Sequence, residues 1–196
     1  GTGYGTGIVG TVSGTSISFG TPATFQSNPS NEIYAAFDST SNKTVFAYQL
    51  GDGSDYGNSV VGTVSGTSIS FGSAATFNSA TTNNMGLAYD ATADTTTIAF
   101  KKAATGYGTK LEGTISGTSI SFGADVVFEA ATTTSPHLVY DPDQGKIVIS
   151  YIVAATPAGK TIVYPVSEYT TGVTTNGTPG SAGAYTQIAV ASGAPT

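Results

Sequence analysis

The chain has no cysteine, no tryptophan and no arginine, and only 9% of its 196 residues are charged. Each shortage excludes something. Without cysteine there is no disulfide framework and no thiolate metal site, and thiol usage says nothing about the redox compartment. The basic residues are six lysines against twelve acidic residues, for a net charge of −6. A phosphate backbone is bound by a basic face, so no nucleic-acid partner is expected, and an anionic membrane surface is disfavoured for the same reason. No stretch approaches the ~18 consecutive apolar residues of a spanning helix, and no membrane insertion is expected. An average soluble domain is roughly 25% charged; here serine, threonine, asparagine and glycine must carry solubility instead. No sustained 3.6-residue apolar period occurs, which excludes a substantial helical component.

What the chain does have is repetition. The segment SISFG occurs at Ser16–Gly20, Ser68–Gly72 and Ser119–Gly123, each time behind a near-identical arm that begins at Tyr4, Tyr56 or Tyr107. The steps between the tyrosines are 52 and 51 residues. A period near fifty residues made only of strand signals indicates an array of small β-units, each too small to bury a core alone. The expected organisation is a tandem array over residues 1–159, with units 4–55, 56–106 and 107–159. A degenerate terminal repeat with a Gly/Thr/Pro-rich loop follows over 160–196.

Each unit reads as four strands. In the first unit these are Ile8–Val12, then Ser16–Phe19 continuing past Gly20 to Phe25, then Ile33–Phe37 and Thr44–Tyr48. A two-residue turn at Gly14-Thr15 fits type II′, where glycine supplies the positive φ. The turn between the last two strands opens with Asp38, Asp90 or Asp141 and closes with Asn42, Asp94 or Gly145. Such residues accept backbone hydrogen bonds and tolerate the left-handed region. Both faces of the strands carry apolar residues, as when each sheet is covered on both sides. The expected fold is therefore all-β, with four-stranded units of about 51 residues in a β-propeller-like arrangement. The alternative is a β-solenoid or another stacked-sheet array. The units are expected to superpose, with Phe19, Phe71 and Phe122 buried at equivalent interfaces. The chain opens inside a unit, so its first hairpin precedes any inner strand pair; a portion of a larger assembly is the expectation.

Chemistry is thinly signalled. His137 is the single histidine, on a strand position that is apolar in the other units, and reads as a packed or interface residue. No catalytic residue is assigned. The acidic residues sit mostly in turns, which explains them without a paired-carboxylate mechanism. Asp141-Pro-Asp143 resembles the start of an oxygen-ligand loop but lacks the downstream bidentate acid; no metal or other cofactor is assigned. Glycan binding is the stronger candidate, through Tyr4, Tyr56 and Tyr107 with Asp52 and Asp55 of the neighbouring acidic loop. An aromatic face beside carboxylates holds a sugar by stacking and hydrogen bonds. Against this, recurrence at one repeat position is also what packing between units demands.

The arm YGTxxVGTVSGTSISFG, with the aromatic-Asp turns Tyr89-Asp90 and Tyr140-Asp141 and the pair Asn42-Lys43, resembles tandem repeats of bacteriophage virion proteins, mainly tail-fibre-like and other appendage components. The resemblance covers about 155 residues and lapses after Tyr164. It implies a non-enzymatic structural role at a virion surface, in host attachment. The implied partners are other virion proteins or identical subunits, and a host-surface glycan. It carries no catalytic residue. A carbohydrate-binding lectin or adhesin, extracellular or on a cell surface, is the alternative.

Overall fold

The computed structural model describes residues 3–156 and 158–165. The loop expected over 172–183 and the strand expected near 184–191 lie outside these. Among the described residues there is no helix and there are fourteen strands. The first repeat contributes β1 (Tyr4–Gly7), β2 (Gly10–Ser13), β3 (Ser16–Phe19), β4 (Ala23–Asp38) and β5 (Lys43–Leu50). The second contributes β6 (Tyr56–Ser65), β7 (Ser68–Phe71), β8 (Ala75–Asp90) and β9 (Thr95–Lys102). The third contributes β10 (Tyr107–Ser116), β11 (Ser119–Phe122), β12 (Val126–Asp141) and β13 (Lys146–Val153), followed by β14 (Ala158–Tyr164).

All pairing is antiparallel, in one twelve-stranded ladder whose main path is β1-β4-β5-β6-β8-β9-β10-β12-β13-β14. Strands β7 and β11 hang on β6 and β10, and β2 and β3 form a separate hairpin. The ladder does not close, so no propeller is formed by the described strands alone.

The expected second strand divides: Ser16–Phe19 is β3 by itself, and its continuation from Ala23 to Phe25 joins the expected third strand in one sixteen-residue strand. The first half of β8 pairs back to β6 and its second half pairs forward to β9. A single left-handed residue, not a turn, divides them: Glu32 (φ 47°), Asn84 (φ 52°) and Ser135 (φ 50°) stand at the same place in the three long strands. Each sits at a register break, where an unpaired residue bends the strand. The bend passes the chain from one section of the ladder to the next, so each section combines strands of two sequence repeats.

The turns follow their residues. Gly14, Gly66 and Gly117 have φ of 58°, 57° and 62° at the hairpin tips, and the threonine after each does not share the positive φ, as type II′ requires. The Asp38 carboxylate accepts from the N–H groups of Thr40 and Ser41 at 2.9 Å. Asp90 does the same for Thr92 and Ala93, and Asp141 for Asp143 and Gln144.

Consecutive sections face one another, and the contacts recur. Phe25, Phe77 and Phe128 each insert into the next section. Phe25 meets Tyr48 and Phe71 at ring-centroid distances of 5.1 and 5.2 Å, Phe77 meets Phe100 and Phe122 at 5.6 and 5.7 Å, and Phe128 meets Tyr151 at 5.0 Å. Around Phe77 lie buried Ala47, Met85, Ile98 and Leu111; around Phe128 lie Ala88, Ala99, Ile147 and Ile149. At the kinks, Glu32 accepts from the Met85 N–H at 3.3 Å and Asn84 from the Ser135 N–H at 3.4 Å. At the Asp turns, the Tyr89 hydroxyl bonds Thr40 at 2.6 Å, and Tyr140 and Thr92 share a bond of 2.8 Å.

The first repeat departs from the others in one respect. Its arm breaks into β1 and β2, whereas β6 and β10 run ten residues unbroken. The middle of β6 is held by β5 through pairs such as Val60–Phe46, and the middle of β10 by β9. No described strand lies in that place beside Ile8 and Val9. Phe19 is accordingly 62% exposed, whereas Phe71 and Phe122 are partly buried. The expected burial of Phe19 is thus not found: Phe71 is covered by Phe25 of the section before it, and among the described residues no section stands in that place against Phe19.

Candidate functional site

The aromatic candidates lie along one end of the stack, where the long strands kink. Tyr4, Tyr56 and Tyr107 open their strands opposite Pro29, Thr81 and Thr132. The glycine after each is forced by packing. A Cβ on Gly5, Gly57 or Gly108 would lie 2.3, 2.5 or 2.6 Å from the ring of Phe25, Phe77 or Phe128. The Tyr-Gly pair therefore seats the interface phenylalanine and presents the tyrosine at the strand end. Tyr4 is 44% exposed and Tyr56 is 37% exposed, while Tyr107 is half-buried.

Asp52, Asp55 and Tyr56 fall in a single loop. The Asp52 carboxylate accepts from the Ser54 N–H at 2.9 Å and the Ser54 hydroxyl at 2.6 Å. The hydroxyl bond first, and then the backbone bond, hold its pKa below the usual carboxylate value. Asp55 takes φ 55°, and its carbonyl accepts from the Thr82 N–H at 2.8 Å, just before the kink of β8. At the other end of the loop the Gly51 N–H bonds the Pro29 carbonyl at 2.7 Å, the residue paired with Tyr4. Tyr4 and Tyr56 thus flank the Gly51–Asp55 loop, and Tyr107 stands one section further on. The two aspartates shape the loop. Asp52 is exposed beside Tyr56, so the loop presents a carboxylate next to a partly exposed phenol.

Two depressions are described elsewhere. One, of about 220 Å³, has Phe77, Phe100 and Leu111 as its floor and Asn78 with the Lys102–Asp125 ion pair at its rim. Lys102 and Asp125 stand where the other repeats have Leu50, Val153, Pro22 and Ala74; that break in the repeat pattern was the available sequence signal. The other, of about 370 Å³, lies on the last section and is lined by His137, Ser150, Ile152, Lys160 and Thr161 among others. His137, expected as a packed or interface residue, is exposed there and pairs with Ser150 across the ladder. The Ser150 hydroxyl is shared with Thr161 at 3.2 Å, and no carboxylate lines the depression to orient an imidazole. Neither depression includes Tyr4, Tyr56 or Tyr107.

Among the described residues no group of three histidines or carboxylates is placed to hold a metal ion. Asp141 spends one carboxylate oxygen on its turn, at 3.0 and 3.2 Å from two N–H groups. The remaining titratable features belong to the junctions. Tyr151 donates to Glu129 at 3.1 Å, and Lys160 reaches the same oxygen at 2.7 Å. Burial, and then the Glu129 charge, push the Tyr151 pKa up to about 12. Lys110 is buried, pairs with Glu112 at 2.7 Å and lies 4.4 Å from the Tyr164 ring centre.

No protein-family model, curated protein or solved structure matches the chain.

Proposed function

We propose that the chain is a non-enzymatic structural protein of a virion, a fibre or surface-appendage domain used in host attachment, with its sections arranged as in a β-propeller. The observation that supports this best is the repetition of the same junction. At each one a phenylalanine inserts between sections. Kink residues and turn residues add hydrogen bonds along two further columns. At the junctions of Phe77 and Phe128 these make three anchor points that restrain sliding and rotation, which is what a load-bearing array needs. The side chains that recur in every unit go into turns and junctions, and the loops at the kink end vary, as attachment surfaces do.

Gold-labelled antibody against the recombinant chain tests the reading on virus particles from the source sample. Labelling confined to an appendage or to the capsid surface is expected. Particles that stay unlabelled while the chain is found free or on cells would overturn it.

A carbohydrate-binding role has one observation in its favour, the exposed Tyr4 and Tyr56 on either side of the Gly51–Asp55 loop. Stacking on a phenol is worth about 0.5–1.5 kcal/mol beyond area burial, so Tyr56→Ala should weaken any glycan binding several-fold while leaving the fold intact. Glycan-array signal unchanged by that substitution would place the binding elsewhere.

A further inference from the structure

The two ends of the array carry opposite halves of the interface that its interior uses twice. At the first end, Ile17 is 53% exposed, whereas its counterparts Ile69 and Ile120 are 9% and 5% exposed. Ile8 is exposed, while Val60 and Leu111 at the same position are buried. These are the positions that face the preceding section: Ile120 packs with Val45 and Val61, and Leu111 with Ala47. At the last end, Val139, Ser150 and Val163 are exposed. Their counterparts Ala88, Ala99 and Val61 are buried under the section that follows.

We infer that the first face of one chain docks on the last face of a second copy, in the orientation that one section takes to the next. The repeat fixes the partner. A surface built from the same residue positions as an interior junction fits the surface that those positions already meet, and the other half of that junction is present on the same chain. Such a contact joins two different faces, so it propagates head to tail and does not stop at a two-fold dimer. With so few charged residues, little opposes the approach of the two faces. This inference rests on the repeat interface alone and is independent of the virion reading.

The test uses the full chain and two double variants at exposed positions, Ile17→Asp with Phe19→Asp on the first face and Val139→Asp with Val163→Asp on the last. Sedimentation velocity of the wild type should show a concentration-dependent series beyond the dimer. Each variant alone should stay monomeric, and an equimolar mixture of the two should stop at a dimer, because one intact face of each kind remains. Circular dichroism and thermal melting verify that the variants stay folded. The conservative Phe19→Ala should weaken association by about tenfold, as removal of a central aromatic does. A wild type that stays monomeric up to about 1 mM, the weak limit of specific association, would refute the inference. So would a variant blocked at one face that still dimerises by itself.

Discussion

The carbonyl oxygen of Thr118 stands 1.9 Å from where a Cβ on Gly72 would begin. Gly20 and Thr67 repeat the relationship one section earlier, at 1.8 Å. The last glycine of SISFG is therefore the seat for the hairpin tip of the next section. Its φ is not in the left-handed region, so space and not backbone conformation demands glycine here. Gly123, the third copy, meets only the Glu112 carbonyl at 3.9 Å.

Gly72→Ala should thus destabilise the protein by about 1–3 kcal/mol, the usual cost of overpacking, or by more if backbone must separate. Gly123→Ala should be neutral, or stabilising by up to about 1 kcal/mol through loss of unfolded-chain freedom. Urea unfolding of the two variants measures the difference. Equal effects would show that the hairpin tips do not stack.

The Tyr89 hydroxyl joins Thr40 at 2.6 Å and Asp94 at 2.8 Å, whereas a single partner, Thr92, holds the Tyr140 hydroxyl. Tyr89→Phe should cost about 0.5–1.5 kcal/mol per bond lost, and Tyr140→Phe less. Denaturant midpoints, with unchanged m-values, give the comparison; a larger loss at Tyr140 would contradict the geometry.

Much of this was legible in the chain. The SISFG spacing marked the units, and Asp38, Asp90 and Asp141 announced turns that do form. The kinks at Glu32, Asn84 and Ser135 were not legible, because none of the three is a residue that signals positive φ as strongly as glycine. Pairing of each long strand with two different neighbours therefore looked like two separate strands. The exposure of Phe19 was not legible for a different reason. Sequence identity fixes what a residue packs against only where the neighbouring section exists. One further junction signal is present in the sequence. Gln26 donates to the Tyr48 hydroxyl and Glu129 accepts from Tyr151, but between them Phe100 has no hydroxyl, and Asn78 turns to Thr82 at 2.7 Å instead. The identities at the two repeat positions change together. At the candidate glycan site, the nearness of Asp52 and Asp55 to Tyr56 was legible from adjacency, while the placement of Tyr4 beside the same loop depended on the ladder.

The pKa of Tyr151 is raised from 10.0 to about 12, and those of Tyr34, Tyr48, Tyr89 and Tyr164 are raised as well, in each case first by burial. A raised folded-state value means that the fold favours the neutral phenol. That stabilisation is complete below pH 10 and is lost as pH climbs through the folded-state values. Stability should accordingly fall between about pH 10 and 12. Tyr151→Phe should make the fall shallower and remove the last phenolate to appear in an absorbance titration. Complete ionisation of every tyrosine near pH 10 with the fold intact would sink this.

Phe77 and Phe100 face each other across a junction, with ring centres 5.6 Å apart. Phe100 is fully buried and Phe77 partly so. Phe100→Ala should therefore cost about 3–5 kcal/mol, and Phe77→Ala less, since part of its ring is already in water. The two losses should not add. An aromatic pair is worth about 0.5–1.5 kcal/mol beyond the area it buries, so the double variant should be milder than the sum by about that amount. Phe25 supplies the control, because it sits in the previous junction against Tyr48 and Phe71. Phe25→Ala combined with Phe100→Ala should be additive within about 0.5 kcal/mol. Unfolding free energies of the six proteins in urea close both cycles. Coupling as large between Phe25 and Phe100 as between Phe77 and Phe100 would mean that stability is shared across the array, against a sum of separate junctions.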